Sequence, residues 1–188
     1  MTRATPFPTA QVSDRELGFL NFYRASELHG GLILAQVARR TRDGRLAGEL
    51  LHHAAEEIEH ARLWTETILA VGGRVSPVRE TYQDRYAAAI GRPVGVLHVL
   101  ALTQVFERRV YRHFAEHLRR PGTHPAVCVT LQRMLEEEKG HLRWVKAWLD
   151  HRAAGDAARI RTVMRRYAEV DARIYAALST ELGWREAA

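Results

Sequence analysis

The sequence predicts an all-α protein, and three observations support that prediction. Apolar side chains recur at steps of three and four residues along most of the chain, which is the period of a helix buried on one side. Glycine and proline are sparse and fall mostly between these periodic segments. No stretch alternates apolar and polar residues for long enough to indicate a β-strand.

Five helical segments are predicted, with approximate limits 13–41, 44–71, 93–119, 124–152 and 156–182. Ser13 and Asp43 are the expected N-caps of the first two segments, because their side-chain oxygens can accept hydrogen bonds from free backbone N–H groups. The other three segments begin beside the turn-forming sequences "GRP" at 91–93, "PGTHP" at 121–125 and "AAG" at 153–155.

The connection between the second and third segments, residues 72–92, is much longer than the other connections. A four-helix bundle whose second and third helices run parallel needs a crossover of this kind. We therefore expect a single domain over residues 1–188, with a bundle core at 13–152 and an extra C-terminal helix at 156–182.

The composition excludes several classes of protein. Apolar residues make up 46% of the chain and charged residues 27%, a balance typical of soluble domains. No apolar run approaches the roughly 18 residues of a membrane-spanning helix. Residues 1–18 lack the apolar region of a secretory signal, so we expect a cytoplasmic protein without a membrane partner. The lone cysteine, Cys128, excludes an intramolecular disulfide and a cysteine-based zinc or iron–sulfur site.

The net charge of +6 permits a polyanionic partner, such as RNA or an acidic redox protein. The arginines are scattered rather than clustered, and no motif combines them with aromatic residues in the manner of a nucleic-acid-binding surface. A solvated arginine-rich surface is the simpler interpretation of this charge.

A glutamate interrupts the apolar stripe of each of the first four segments near its middle. These four residues are Glu27, Glu57, Glu107 and Glu138. Burying an ionised carboxylate without a partner is very costly. Four carboxylates in one bundle therefore require strong positive charge among them, such as that of metal ions.

Three Glu-x-x-His sequences occur, and two of them follow an internal repeat. The three pairs are Glu49 with His52, Glu57 with His60, and Glu138 with His141. The second and third pairs are 81 residues apart, and Glu27 and Glu107 are 80 apart. The first pair has no such copy, which indicates a solvated helix face. Residues three apart on a helix point the same way, so each repeated pair can reach one metal ion.

A helix pair used twice, giving Glu and then Glu-x-x-His in each copy, resembles the ferritin-like di-iron carboxylate superfamily of rubrerythrins and bacterioferritins. The resemblance covers residues 13–152 and implies a ferritin-like four-helix bundle that holds two iron ions, with manganese as the alternative metal. It implies that Glu57 and Glu138 bridge the two ions. The full set of implied metal ligands is Glu27, Glu57, His60, Glu107, Glu138 and His141.

Two neighbouring carboxylates leave this assignment open to an alternative. Glu56 and Glu137 lie four residues before the same histidines and also share the 81-residue offset. Glu57 and Glu138 are preferred as ligands because they lie deeper in the apolar stripes.

Departures from the known branches narrow the function that the resemblance implies. Ile58 stands where bacterioferritins have a haem-ligating methionine, so no haem is expected. A single cysteine excludes a rubredoxin domain, so electrons must come from an external donor. Gln104 replaces a second carboxylate of rubrerythrins, whereas His141 supplies the second histidine that ordinary ferritins lack. Two complete metal positions favour redox chemistry over transit of iron.

The expected function is therefore that of a non-haem di-iron oxidoreductase that activates O2 or peroxide, with hydroxylation of a small-molecule substrate as one candidate reaction. No catalytic residue beyond the metal ligands is predicted. A ferroxidase or iron-handling protein is the alternative, and a metal-free helical interaction protein is a third interpretation. Apolar residues on the outer helix faces favour a homo-oligomer.

Three further residues have more than one interpretation. His53 lies one turn before Glu57, where it can donate a hydrogen bond to that carboxylate or simply pack in the core. Gly30 and Gly31 fall inside the first helix, where they can admit a close backbone contact, a bulge or access for a substrate.

Overall fold

The computed structural model describes residues 12–184, without the side chains of 154 and 156, and this part of the chain is all-α. Its helices are α1 (Asp14–Arg40), α2 (Gly44–Ala70), α3 (Tyr82–Ile90), α4 (Val96–Leu118) and α5 (Pro125–Glu181). The predicted all-α class is thus confirmed for these residues. Within the described range, none of the helices combines the length and the apolar character that a membrane crossing requires. Most of the segment examined for a secretory signal, residues 1–11, lies outside that range.

Side-chain caps explain where three helices begin. Ser13 accepts a hydrogen bond from the backbone of Glu16, and Asp43 accepts two from the start of α2, so both predicted N-caps are confirmed. The long connection contains the short helix α3, which the apolar period did not reveal. Thr81 and Asp84 form a reciprocal capping box that fixes its first turn.

The helix α5 spans both the fourth and the fifth predicted segments. The helical assignment runs through 153–155, so it does not by itself show the break predicted there. A straight helix of 57 residues would nevertheless be about 85 Å long. Its first turns at Leu131 and its last at Leu178 contact the same apolar cluster, so the helix must reverse direction. Leu149 and Ile160 share the other cluster, which locates the reversal between them.

Two apolar clusters fill the interior, one towards each end of the long helices. The first is built around fully buried residues such as Leu20, Trp64 and Leu131, and the second around Leu50 and Leu100. A fully buried leucine contributes about 2 kcal/mol relative to an exposed one. A layer of glutamate and histidine lies between the two clusters, and their apolar contacts offset the cost of burying it.

Candidate metal centre

All six predicted ligands lie in the polar layer between the two apolar clusters, and none exposes more than 5% of its surface. The structure brings their oxygen and nitrogen atoms together in two groups that share Glu57, with all ligand atoms of a group within 4.8 Å of one another. One group consists of Glu27, Glu57, His60 and Glu138, and the other of His53, Glu57, Glu107 and His141. The predicted solvated pair, Glu49 and His52, is exposed.

Each predicted histidine ligand is held from outside by a carboxylate of another helix. His60 Nε2 on α2 donates to Glu137 Oε2 on α5 at 2.8 Å. A second bond joins the same two helices with their roles exchanged: His141 Nε2 on α5 donates to Glu56 Oε2 on α2 at 3.0 Å. With the proton on Nε2, the lone pair of Nδ1 faces the carboxylate cluster in both histidines. This is the tautomer that a metal ligand requires.

Two atoms of the inner cluster have no hydrogen-bond partner within residues 12–184 although they are buried. They are His60 Nδ1 and Glu138 Oε1, which lie 3.7 Å apart. His60 Nδ1 also lies 3.8 Å from Glu27 Oε2. Leaving a buried acceptor unsatisfied costs about 1–3 kcal/mol. A metal ion between these atoms would satisfy both, so the donor set fits one.

The two alternative carboxylate pairs occupy different places. Glu57 and Glu138 point into the cluster, with 3% and 0% of their side chains exposed. Glu56 and Glu137 lie at its edge, with 32% and 29% exposed, and bind the outer nitrogens. The structure therefore assigns distinct places to the two pairs, whereas the 81-residue offset that both pairs share does not distinguish them.

His53 belongs to the second group by distance, but its hydrogen bonds favour a different role. Trp144 Nε1 donates to His53 Nδ1 at 3.3 Å, so the imidazole proton lies on Nε2. That N–H faces Glu57 Oε1 at 3.2 Å and Glu107 Oε1 at 3.5 Å. His53 is therefore placed to donate to these carboxylates rather than to offer a lone pair to a metal.

The electrostatics of the cluster show how it limits its negative charge. Burial, and next the carboxylates of Glu27 and Glu107, raise the pKa of Glu57 well above its usual value. Burial and the nearby Glu107 likewise raise the pKa of Glu138. Burial would raise the pKa of Glu107 too, but the hydrogen bond from His53 outweighs it and lowers this pKa to about 2. The cluster therefore favours the ionised form of Glu107 and the protonated forms of Glu57 and Glu138.

The pKa values of the two inner histidines shift in opposite directions. Burial, and next the neighbouring His53, lower the pKa of His141 to about 4, so its imidazole is neutral at pH 7. Burial would also lower the pKa of His60, but the nearby carboxylates of Glu27 and Glu137 outweigh it and raise this pKa. The crowded negative charge of the cluster thus contributes to raising the pKa of this histidine as well as those of the two carboxylates.

A cavity of about 440 Å³ reaches the cluster from the side formed by α1, α3 and α4. Glu57 and Glu107 line its inner end, beside Gly30.

The two adjacent glycines of α1 have different functions there. A Cβ atom on Gly31 would lie 2.9 Å from the backbone oxygen of Ala54, so Gly31 permits the close approach of α1 and α2. The helix continues through both glycines, which rules out a bulge.

Sequence reasoning missed the cross-helix partners Glu56 and Glu137, the donor Trp144 and the cavity. The repeated 81-residue offset was a signal for the first two, because it marks both glutamates as repeat-related. Comparison with known proteins yields no match, whether to a family model, a curated protein or a solved structure. The fold and the site define an all-α protein whose buried groups of histidine and glutamate side chains could hold metal ions.

Proposed function

We propose that this chain is a di-iron carboxylate oxidoreductase of the ferritin-like type, which activates O2 or peroxide. The observation that carries the proposal is the arrangement of His60 and His141. Both hold their outer N–H against a carboxylate and turn Nδ1 towards the buried glutamates. Metal-binding histidines adopt this arrangement because the outer bond fixes the ring and its tautomer.

The order of the helices supports the ferritin-like assignment. The helices α1 and α2 supply Glu27 and then Glu57 with His60, and the second half repeats this with Glu107 on α4 and then a Glu-x-x-His pair on α5. The connection between the halves carries α3 and stands where a ferritin-like bundle has its long crossover. In this arrangement four carboxylates balance two divalent ions, which removes the cost of a buried net charge.

The residues of the chain have separate tasks in this proposal. Glu27, Glu57, His60 and Glu138 would hold one ion, while Glu107 and His141 would hold the other together with the shared carboxylates Glu57 and Glu138. Two bound ferrous ions would supply the electrons that reduce O2 or peroxide. Glu56 and Glu137 keep the histidine protons on the outer nitrogens, and the apolar clusters cover the layer towards both ends of the long helices. Manganese would fit the same donors.

The cavity favours an oxidoreductase over an iron-storage protein. It brings a space large enough for a small organic molecule to Glu57 and Glu107. Electrons for repeated turnover would come from an external donor, because the chain has one cysteine and no pair to store them. Exposed apolar side chains on the first two helices, among them Leu32, Leu51 and Ile58, support the expected homo-oligomer.

The first test concerns metal content. The purified protein should carry close to two transition-metal ions per chain, and replacing Glu57 and Glu138 together by alanine should abolish loading. Glu49→Ala, an exposed glutamate on the same helix as Glu57, is the matched control and should load normally. Far-UV circular dichroism would establish that both variants fold. Undiminished metal in the double variant would refute the site.

The second test separates oxidation chemistry from storage. Ferrous iron added in excess, with O2, should be oxidised until about two irons per chain are bound, and then stop unless a reductant is supplied. A storage protein would release the oxidised iron and continue to take up more. Uptake of many irons per chain, measured together with the native mass of the assembly, would therefore favour the iron-handling alternative.

A further inference from the structure

The cavity between α1, α3 and α4 has walls and a rim of different chemistry. Its walls are formed largely by half-buried apolar side chains, which include Ile33, Val37, Val99, Leu102 and Phe106. A volume of about 440 Å³ is within the range of pockets that bind small organic molecules. The apolar lining favours a ligand whose body is hydrocarbon or aromatic, because such a ligand gains from leaving water.

Two arginines on the rim are available to a ligand. Arg40, the last residue of α1, and Arg92, just after α3, both line the cavity and are exposed. Neither has an ion-pair partner in the described part of the chain. Other arginines nearby are already paired, as Arg85 is with Glu181 and Arg109 with Asp171. Unpaired guanidinium groups beside an apolar cavity favour an anionic group on the ligand.

The charged groups of the cavity determine the direction in which such a ligand would bind. Glu57 and Glu107 lie at the inner end, and among the described residues the only arginine or lysine side chains in the cavity lining are those of Arg40 and Arg92 on the rim. Asp84 on the rim is occupied by the capping box with Thr81 and lies 3.7 Å from His29. The anionic group is therefore favoured only at the arginines. The apolar end of the ligand then lies towards Glu57 and Glu107.

Gly30 keeps the inner end open. A Cβ atom at this position would lie 3.2 Å from Glu57 Oε2 and 3.3 Å from Gln83 Nε2, closer than most such contacts. Because glycine has no side chain, the cavity extends to the Glu57 carboxylate.

From these observations we infer that the cavity binds an organic acid, with its carboxylate between Arg40 and Arg92 and its apolar body directed at Glu57 and Glu107. The role of this acid as a substrate rests on the proposed function, whereas its binding to the cavity can be measured without turnover. The position oxidised would be remote from the carboxylate.

The test uses octanoate and 1-octanol as probes, which share an apolar chain and differ in charge. Each would be titrated against the protein as purified, with the heat of binding in isothermal titration calorimetry as the readout. Arg40→Gln with Arg92→Gln should weaken octanoate binding about five- to tenfold, as expected for two partly screened ion pairs, and leave 1-octanol unchanged. The control, Arg39→Gln with Arg42→Gln, removes the same charge from exposed positions outside the cavity lining and should bind both probes normally.

A third variant locates the binding site. Val99→Trp fills the cavity from α4 and should weaken both probes more than tenfold, while its circular dichroism and metal content stay at wild-type values. The inference is overturned by absence of octanoate binding, by equal weakening in the control pair, or by unaltered binding in Val99→Trp. Wild-type protein that carries two metals but binds no octanoate would overturn this inference alone. Protein that binds octanoate in the cavity but takes up no metal would overturn the proposed function alone.

Discussion

The carboxylates that hold the outer nitrogens of the histidines should control metal affinity. In Glu137→Gln the side chain keeps its shape but loses its charge, and the 2.8 Å bond from His60 loses its ionic acceptor. Glu137 is ionised at neutral pH: burial raises its pKa, but the bonds from Arg133 and His60 outweigh this and lower it. Losing such a partner costs about 10–100-fold in metal affinity. Because Glu137 is 29% exposed and shared with Arg133, we expect the lower end, about tenfold.

Competition with a chelator at fixed pH would measure this change. Glu136→Gln is the matched control, because Glu136 is the preceding residue, its side chain is 75% exposed and it pairs only with Lys139 among the described residues. The control should bind metal as the wild type does. If both variants bind equally well, the bond from His60 to Glu137 does not orient a ligand, and the central observation behind the proposed function loses its force.

Three further predictions concern stability. Gly31→Ala should be about 1–3 kcal/mol less stable to denaturant than Gly18→Ala, because only the first places a Cβ atom against the backbone of α2; equal stabilities would contradict this contact. Chelated protein should melt at a higher temperature at pH 6.5 than at pH 8. The pKa values of Glu57 and Glu138 are raised in the folded state, so folding takes up protons and its stability falls as the pH rises; a rise in melting temperature towards pH 8 would refute this. Metal at a hundredfold excess over its Kd should stabilise the fold by about 2.7 kcal/mol, seen as a melting shift that chelation reverses. No shift on loading would favour the metal-free interpretation.

The helices could be predicted because their signals are local. Apolar spacing and the caps Ser13 and Asp43 depend on residues a few positions apart. The joint predicted at 153–155 lies where α5 reverses direction, although the helical assignment runs through it. Contacts between distant residues, such as that of Thr67 with Thr130, determine where each arm of α5 lies. The sequence shows Gly155 in this segment, but it does not show these distant contacts.

At the candidate site, too, local features could be predicted from the sequence and contacts between distant residues could not. The six candidate ligands were accessible from the sequence, because a helix places residues three and four apart on one face. Depth in the apolar stripe favoured Glu57 over Glu56, but the bond of Glu56 to His141 could not be predicted, because it depends on how α2 faces α5. The role of His53 depends on Trp144, a residue 91 positions away that fixes its tautomer. The cavity depends on α3, whose position no periodic pattern specifies.

The repeat makes the two proposed metal positions similar, yet their surroundings differ. His53 faces Glu107, whereas the residue 81 positions later is Met134, which packs in the apolar core. Glu107 lines the large cavity, but Glu27 lines only a void of about 30 Å³ among aromatic rings. A ligand in the large cavity therefore approaches the Glu57 and Glu107 side of the cluster. Under the proposed function, a bound substrate would therefore be oxidised on this side of the cluster, and the Glu27 side would serve to hold metal.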